Sequence, residues 1–179
     1  MTTRYVLISS WRLQAPLSDL WDALVTVECW PEWWPQLVES RTLERGDGSG
    51  VGRQHELTWR SGIGYRFSML VTTIRIWPLR EIEGVVQGDL CGTGVWTLDE
   101  REQGLVTVTY RWDVRLSRPW MRFAAPVLRP LFALNHFAVM RSGAQGLAAR
   151  LGCPPPVIRD WIGSTSFPLL SDPLRHTPS

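Results

Sequence analysis

The sequence predicts an α+β fold, in which helices cover one face of a curved antiparallel sheet. Three observations support this prediction. A first strand-like segment is followed by two short helical ones, six period-two segments then run consecutively to residue 116, and a long helical stripe closes the pattern. Consecutive strands joined by tight turns form an antiparallel sheet, and helices gathered on one face of it define an α+β layer architecture.

Composition indicates a single globular domain. The chain has 179 residues, of which 44% are hydrophobic and 20% charged, so it is not a disordered protein. Its 11 tryptophans suit a large core or the walls of an apolar cavity. All 19 basic residues are scattered arginines and the net charge is only +2, so we expect no nucleic-acid partner.

The cysteines and the N-terminus indicate a cytoplasmic protein. Cys29, Cys91 and Cys153 are an odd number and far apart, which argues against a disulfide framework and a structural zinc site. The N-terminus lacks the apolar core of a signal peptide, and no apolar run reaches the length of a membrane span. We expect no metal and no cofactor, because the three histidines are scattered.

Seven segments show the alternation of strands. The first, residues 4–13, places on one side Tyr5, Leu7, Trp11 and Leu13. The others are residues 37–45, 53–60, 65–77, 80–87, 94–101 and 105–116. In the last of these, one face carries Val106, Val108, Tyr110, Trp112, Val114 and Leu116. Polar residues alternate with them, which is typical of a sheet covered on one face only.

Two short helices are predicted after the first strand. The period changes at Pro16, which is tolerated in a first helical turn, and helical spacing continues from Leu17 to about Glu28. In the following string WPEWWP, residues 30–35, each proline disfavours helical geometry in the residue before it. We therefore expect a single helical turn there, carrying Trp33 and Trp34.

A long amphipathic helix is predicted over residues 127–151. At about 1.5 Å per residue it would be roughly 37 Å long, enough to cross a small domain. One face gathers Phe132, His136, Val139, Met140, Gly143 and Leu147, opposite Arg141 and Gln145. Pro126 and Pro130 predict a kink or a restart near its beginning. We expect the domain to occupy residues 1–151 and the proline-rich residues 152–179 to form an irregular tail, although Trp161, Phe167, Leu169 and Leu170 could dock on the domain.

This order of elements, with the strings LWDAL, WPEWWP, GVWTL and TYRWDV, resembles the START-like superfamily, also called SRPBCC. Its members include polyketide cyclase/dehydrases and pollen-allergen-type lipid binders. The resemblance covers residues 4–151 and implies the helix-grip fold, a curved seven-stranded antiparallel sheet around the C-terminal helix with an apolar cavity between them. Aromatase/cyclase members place polar catalytic groups in that cavity, but no such group aligns here, so no catalytic residue is assigned.

The predicted ligand-binding residues combine apolar walls with a few polar groups. The walls are Tyr65, Phe67, Met69, Trp96, Tyr110, Trp112, Phe132 and Val139. The polar candidates are His55, Asn135 and His136, since a histidine can orient a ligand carbonyl or transfer a proton. The alternative is that the aromatic residues fill a closed core and that the polar ones bond to sheet backbone or reach solvent.

Three functional hypotheses follow. The leading one is binding of a small apolar or aromatic ligand, a lipid or a polyketide-like molecule. The alternative is a polyketide cyclase/dehydratase-type enzyme with His136, His55, Tyr65 or Tyr110 as proton-transfer groups. A third is a regulator whose tail binds a partner. Residues 120–134, apolar with interspersed arginines, could also touch a membrane surface, although core packing explains them too. The oligomeric state is left open.

Overall fold

The computed structural model describes residues 4–61, 64, 66–88, 91–115 and 125–163. Their strands are β1 (Arg4–Gln14), β2 (Leu37–Arg45), β3 (Arg53–Arg60), β4 (Arg66–Trp77), β5 (Glu81–Gly88), β6 (Cys91–Glu102), β7 (Leu105–Arg115) and β8 (Val157–Gly163). Their helices are α1 (Leu17–Val25), α2 (Trp30–Trp33) and α3 (Ala125–Leu151). All strands pair antiparallel in the order β2-β3-β4-β5-β6-β7-β1-β8. The predicted α+β fold is therefore confirmed.

The core lies between the inner face of the sheet and α3. The predicted inner positions of β1 and β7 are buried, namely Leu7, Trp11, Leu13, Val106, Val108, Trp112 and Val114. From α3, the predicted face contributes buried Met140 and Leu147, whereas Arg141 and Gln145 are exposed. Apolar alternation in the strands and helical spacing in α3 therefore identify the two surfaces that meet.

The first helix is shorter than predicted. Helix α1 ends at Val25, and a 3₁₀ turn over Val27–Cys29 leads into α2. Three consecutive β-branched residues, Val25, Thr26 and Val27, lie at the break, and such residues lose side-chain freedom in a helix. Helix α2 is the expected single turn, and Trp34 follows it in extended geometry, as a residue before a proline should.

Helix α3 is continuous from Ala125 through Pro126 and Pro130, so the predicted restart of the helix is wrong. Pro126 lies in the first turn, where its missing N–H needs no partner. Only Pro130 removes a hydrogen bond from the helix interior. The rest of helix α3 is stabilised by packing against β1, β8 and α2.

The prediction of an irregular tail after residue 151 is wrong for residues 157–163, and the sheet formed by the described residues has eight strands instead of seven. These residues form β8, which pairs with the outer edge of β1. Asp160 connects the strand to its neighbours. It accepts a hydrogen bond of 2.7 Å from the Ser9 hydroxyl and forms an ion pair of 3.1 Å with Arg141 of α3. Trp161 remains exposed, and the predicted docking residues Phe167, Leu169 and Leu170 lie outside the described residues.

Two glycines of α3 allow close packing of the tryptophan corner, which is the segment of residues 30–35. A Cβ on Gly143 would overlap the indole of Trp34, and one on Gly146 would overlap the carbonyl oxygen of Trp33 and lie 2.9 Å from its carbon. Glycine lowers helix propensity, so its presence at both positions reflects close packing. The corner can therefore lie directly on the backbone of α3.

We expect Gly146→Ala to reduce the free energy of unfolding by about 1 to 3 kcal/mol, the usual cost of overpacking. Alanine alone would favour the helix by about 1 kcal/mol, so the sign of the effect distinguishes steric overlap from propensity. Urea unfolding gives the measurement. Gly48→Ala is the matched control, because no atom lies within 4 Å of its added Cβ. An effect of Gly146→Ala no larger than that of the control would contradict the packing described.

Candidate functional site

A cavity of about 130 Å³ lies between the inner face of the sheet and α3. Its wall includes ten of the predicted residues, namely His55, Phe67, Met69, Trp96, Tyr110, Trp112, Phe132, Asn135, His136 and Val139. The eleventh, Tyr65, lies outside the described residues. A role for these residues in ligand binding stays a prediction.

The other residues of the cavity wall were not predicted from the sequence. These residues are Leu24, Val27, Trp30, Trp34, Leu57, Trp59, Val71, Thr73, Ile82, Gly84, Val86, Gly94 and Met140. For some of these residues the sequence did contain an indication, since Leu57 and Trp59 share the strand face of His55. For Trp30 and Trp34 it contained none, because only the folded chain brings residues 30–35 over the end of the sheet.

An aromatic row forms the part of the wall between β7 and α3. The ring centroids of Trp112 and His136 are 5.0 Å apart, and those of Trp112 and Phe132 are 5.5 Å apart. Next to this group, Trp96 and Tyr110 are cross-strand partners with centroids 4.4 Å apart. Such a surface favours flat, apolar ligands, which gain both burial and ring contacts.

A pair of glycines lies beside this row, at positions where a side chain would be crowded. Gly84 of β5 and Gly94 of β6 are direct cross-strand partners, and both line the cavity. A Cβ on Gly94 would overlap the hydroxyl of Tyr110 and lie 3.0 Å from its ring. Glycine within a strand often marks a close approach of this kind. The missing side chain at Gly94 lets the Tyr110 ring lie against the sheet, and a Cβ on Gly84 would lie 3.2 Å from Cγ1 of Val71.

Six tryptophans close one end of the cavity, and Trp34 lies among them. They are Trp11, Trp30, Trp33, Trp34, Trp59 and Trp96. The Trp34 indole donates a hydrogen bond of 2.9 Å to the carbonyl of Val139, in the middle of α3. This tryptophan cluster fixes the helix over the sheet and so sets the width of the cavity.

His136 is a neutral, buried group. Only 8% of it is exposed, and its Nε2 has no hydrogen-bond partner among the described residues. Burial lowers its pKa to about 3, and burial also raises the pKa of neighbouring Tyr110 well above its ordinary value. Both side chains are therefore uncharged at neutral pH and can offer a ligand hydrogen bonds without a net charge.

His55 is the second cavity histidine and is almost fully buried, with 1% exposed. Its Nδ1 lies 3.3 Å from the hydroxyl oxygen of Thr42, and its Nε2 has no partner within the described part of the chain. Burial lowers its pKa; the charge of Glu28 opposes this shift and that of Arg53 adds to it. The predicted alternative, a histidine reaching solvent at a strand end, is wrong.

The described residues form neither a metal site nor a membrane-spanning helix. In the described ranges, no group of three or more His, Cys, Asp or Glu side chains is arranged to hold a metal ion. None of the helices described has the length and apolar character needed to cross a bilayer. Residues 120–134, which could touch a membrane surface, lie mostly outside the described side chains.

Comparisons with known proteins agree with this geometry. The sequence profile of the family described as polyketide cyclase / dehydrase and lipid transport matches residues 13–135. No curated protein matches the chain by sequence. Among solved structures, a START superfamily protein from Mycobacterium smegmatis is similar at a TM-score of 0.69 and 15% identity, over 83% of this chain and 97% of that one.

Two similar structures are aromatase/cyclases. The Zhui aromatase/cyclase from a Streptomyces species aligns with a TM-score of 0.63 and 15% identity, over 83% of this chain and 96% of that one. The di-domain aromatase/cyclase BexL aligns with a TM-score of 0.68 and 17% identity, over 85% of this chain and 51% of that one. At these identities, the likeness establishes a shared START-like fold.

Proposed function

Because the chain belongs to the polyketide cyclase/dehydrase and lipid transport family, we propose that its cavity binds a small apolar or aromatic molecule of lipid or polyketide type. The observation that carries this proposal is the cavity itself, walled by aromatic and aliphatic side chains around two uncharged histidines. Apolar walls with a few converging polar groups are typical of small-molecule sites.

The size of the cavity supports a ligand portion of about one ring, or part of an alkyl chain. Its volume is about 130 Å³, and an apolar cavity of about 150 Å³ in another protein holds benzene. A ligand that buries ~300 Å² of apolar surface gains roughly 7 kcal/mol before association entropy is subtracted.

Filling the cavity is expected to weaken binding. Met69 of β4 faces the cavity, whereas Leu70, its neighbour, points to the other face of the sheet. We expect Met69→Trp to weaken binding of alkylphenols about tenfold or more, because ligand and indole compete for one volume. Leu70→Trp, the matched control, should leave affinity unchanged. Titrations followed by native mass spectrometry and thermal shift provide the measurement.

Two outcomes would contradict the proposal. If fatty acids, alkylphenols and polycyclic phenols all fail to bind the wild-type protein, the cavity is not a binding site for this class. If they bind but Met69→Trp and Leu70→Trp behave alike, binding occurs elsewhere on the protein.

A polyketide cyclase/dehydratase-type activity is the second candidate, favoured by the polar groups at the cavity wall. General acid–base catalysis works best when a pKa lies near the operating pH. With a pKa of about 3, His136 is a weak base, and the raised pKa of Tyr110 makes it a weak acid. These values favour binding over proton transfer by this pair. Cyclisation of a poly-β-ketone by the wild type, lost in His55→Phe or His136→Phe, would reverse this preference.

A further inference from the structure

A chain of hydrogen bonds leads from the protein surface to His55. Glu28, an exposed residue of the 3₁₀ turn, lies 3.0 Å from the hydroxyl of Thr42 on β2. Thr42 is in turn the cross-strand partner of His55 on β3, and its hydroxyl oxygen lies 3.3 Å from Nδ1 of that residue. One side-chain hydroxyl therefore connects a carboxylate at the surface with a buried imidazole.

The chemistry of these groups determines which of their atoms carry a proton. Partial burial raises the pKa of Glu28, but hydrogen bonds from its own N–H and from Thr42, with the positive charge of Arg53, outweigh this effect and lower it. The carboxylate is thus ionised and can only accept. Thr42 must give its single proton to Glu28, so its oxygen accepts from the N–H at Nδ1 of His55. The neutral imidazole consequently has its lone pair on Nε2.

That lone pair belongs to a residue of the cavity wall that has aliphatic neighbours on two strands. Nε2 is the ring nitrogen farther from the backbone, it is buried, and it has no partner among the described residues. The neighbouring residues of the cavity wall, Leu57 on the same strand and Val71 on the partner strand, are aliphatic. A buried acceptor without a donor is unfavourable, and a ligand that supplies the donor removes this penalty.

We propose that Glu28 and Thr42 hold His55 as a fixed hydrogen-bond acceptor, so that the cavity selects ligands with a neutral hydroxyl donor, such as a phenol or enol, at this end. This inference rests on the proposed function. A carboxylate would place one acceptor against another, and an ammonium group would lose its hydration in an apolar wall. His55 is the specificity-determining residue, and Thr42 and Glu28 are positioning residues.

Selectivity is measured with 4-ethylphenol and 4-ethyltoluene, which differ by a hydroxyl in place of a methyl group of similar size. The preference is the ratio of their dissociation constants, obtained by calorimetry. The preference depends on one neutral, buried hydrogen bond between the ligand hydroxyl and His55. We therefore expect the preference for the phenol to fall about 3- to 10-fold in His55→Phe and about threefold in Thr42→Val. Thr42→Ser, which keeps the hydroxyl, should retain it. Thr58→Val, on the outer face of β3, is the matched control.

Nitrogen-15 NMR of the imidazoles gives a second readout, independent of ligand. The signals absent from His55→Phe identify His55, which should show a proton on Nδ1 in the wild type and in Thr42→Ser. In Thr42→Val the proton should move, at least in part, to Nε2. A merely structural threonine would not change the position of this proton.

The outcomes separate the inference from the proposed function. If both compounds bind and the preference is the same in wild type, His55→Phe and Thr42→Val, the inference is wrong while binding in the cavity stands. A proton on Nε2 in the wild type, or an unchanged tautomer in Thr42→Val, also overturns it. If neither compound binds and the wider ligand screen is negative, both the inference and the proposed function fail.

Discussion

Trp34→Ala is expected to reduce the free energy of unfolding by about 3 to 5 kcal/mol, the usual cost of truncating a buried tryptophan. Trp34 is 1% exposed, and five other tryptophan rings lie with centroids between 5.1 and 6.2 Å from its own. Its truncation would remove these contacts and would also enlarge the cavity. Because domains of this size are stable by only about 5 to 15 kcal/mol, the variant should be close to unfolding.

A second substitution separates packing from hydrogen bonding at the same position. Trp34→Phe keeps an aromatic ring but removes the hydrogen bond from the indole to the Val139 carbonyl. We expect it to cost less than the alanine variant, with about 1 kcal/mol of the loss due to the hydrogen bond. Chemical denaturation followed by circular dichroism measures both variants.

The control is Trp77→Ala, since Trp77 is 54% exposed at the end of β4. Its effect should stay within about 0.5 kcal/mol, as is usual for surface positions. Equal effects of Trp34→Ala and Trp77→Ala would show that the tryptophan cluster does not hold α3 on the sheet.

The second large effect is a loss of stability in acid caused by His136. Its pKa is about 3 in the folded protein and 6.5 when unperturbed, so the unfolded chain binds the proton more readily. The neutral, buried imidazole therefore contributes stability fully above pH ~6.5 and progressively less as the pH falls towards 3. At about 1.36 kcal/mol per pH unit, the loss at pH 5 is about 2 kcal/mol.

His136→Phe isolates this contribution. Phenylalanine keeps the contact with Trp112 and cannot be protonated, so the variant should lose about 2 kcal/mol less than the wild type between pH 7 and pH 5. His55, whose pKa is also lowered, is present in both proteins and cancels in the difference. Urea unfolding at several pH values tests this. Parallel stability profiles for the two proteins would mean that His136 is not held in its neutral form.

The sequence by itself determined the layer architecture and the faces that meet. Alternation in β1 and β7 and helical spacing in α3 identified buried residues such as Trp11, Val108 and Leu147, because burial of apolar side chains follows the local period of the backbone. The same periods correctly indicated that Trp96, Trp112 and His136 share one interior. These properties are local, so a short window of sequence contains them.

Only the tertiary structure decided which distant residues complete the site. The pairing of the eighth strand with β1 brings Asp160 to Ser9 and Arg141, and no local pattern reveals these contacts. The hydrogen-bond chain of Glu28, Thr42 and His55 likewise joins three segments whose spacing in sequence has no characteristic period. Close packing and hydrogen bonds depend on distances of a few ångströms, and these exist only after the sheet has closed around its helix.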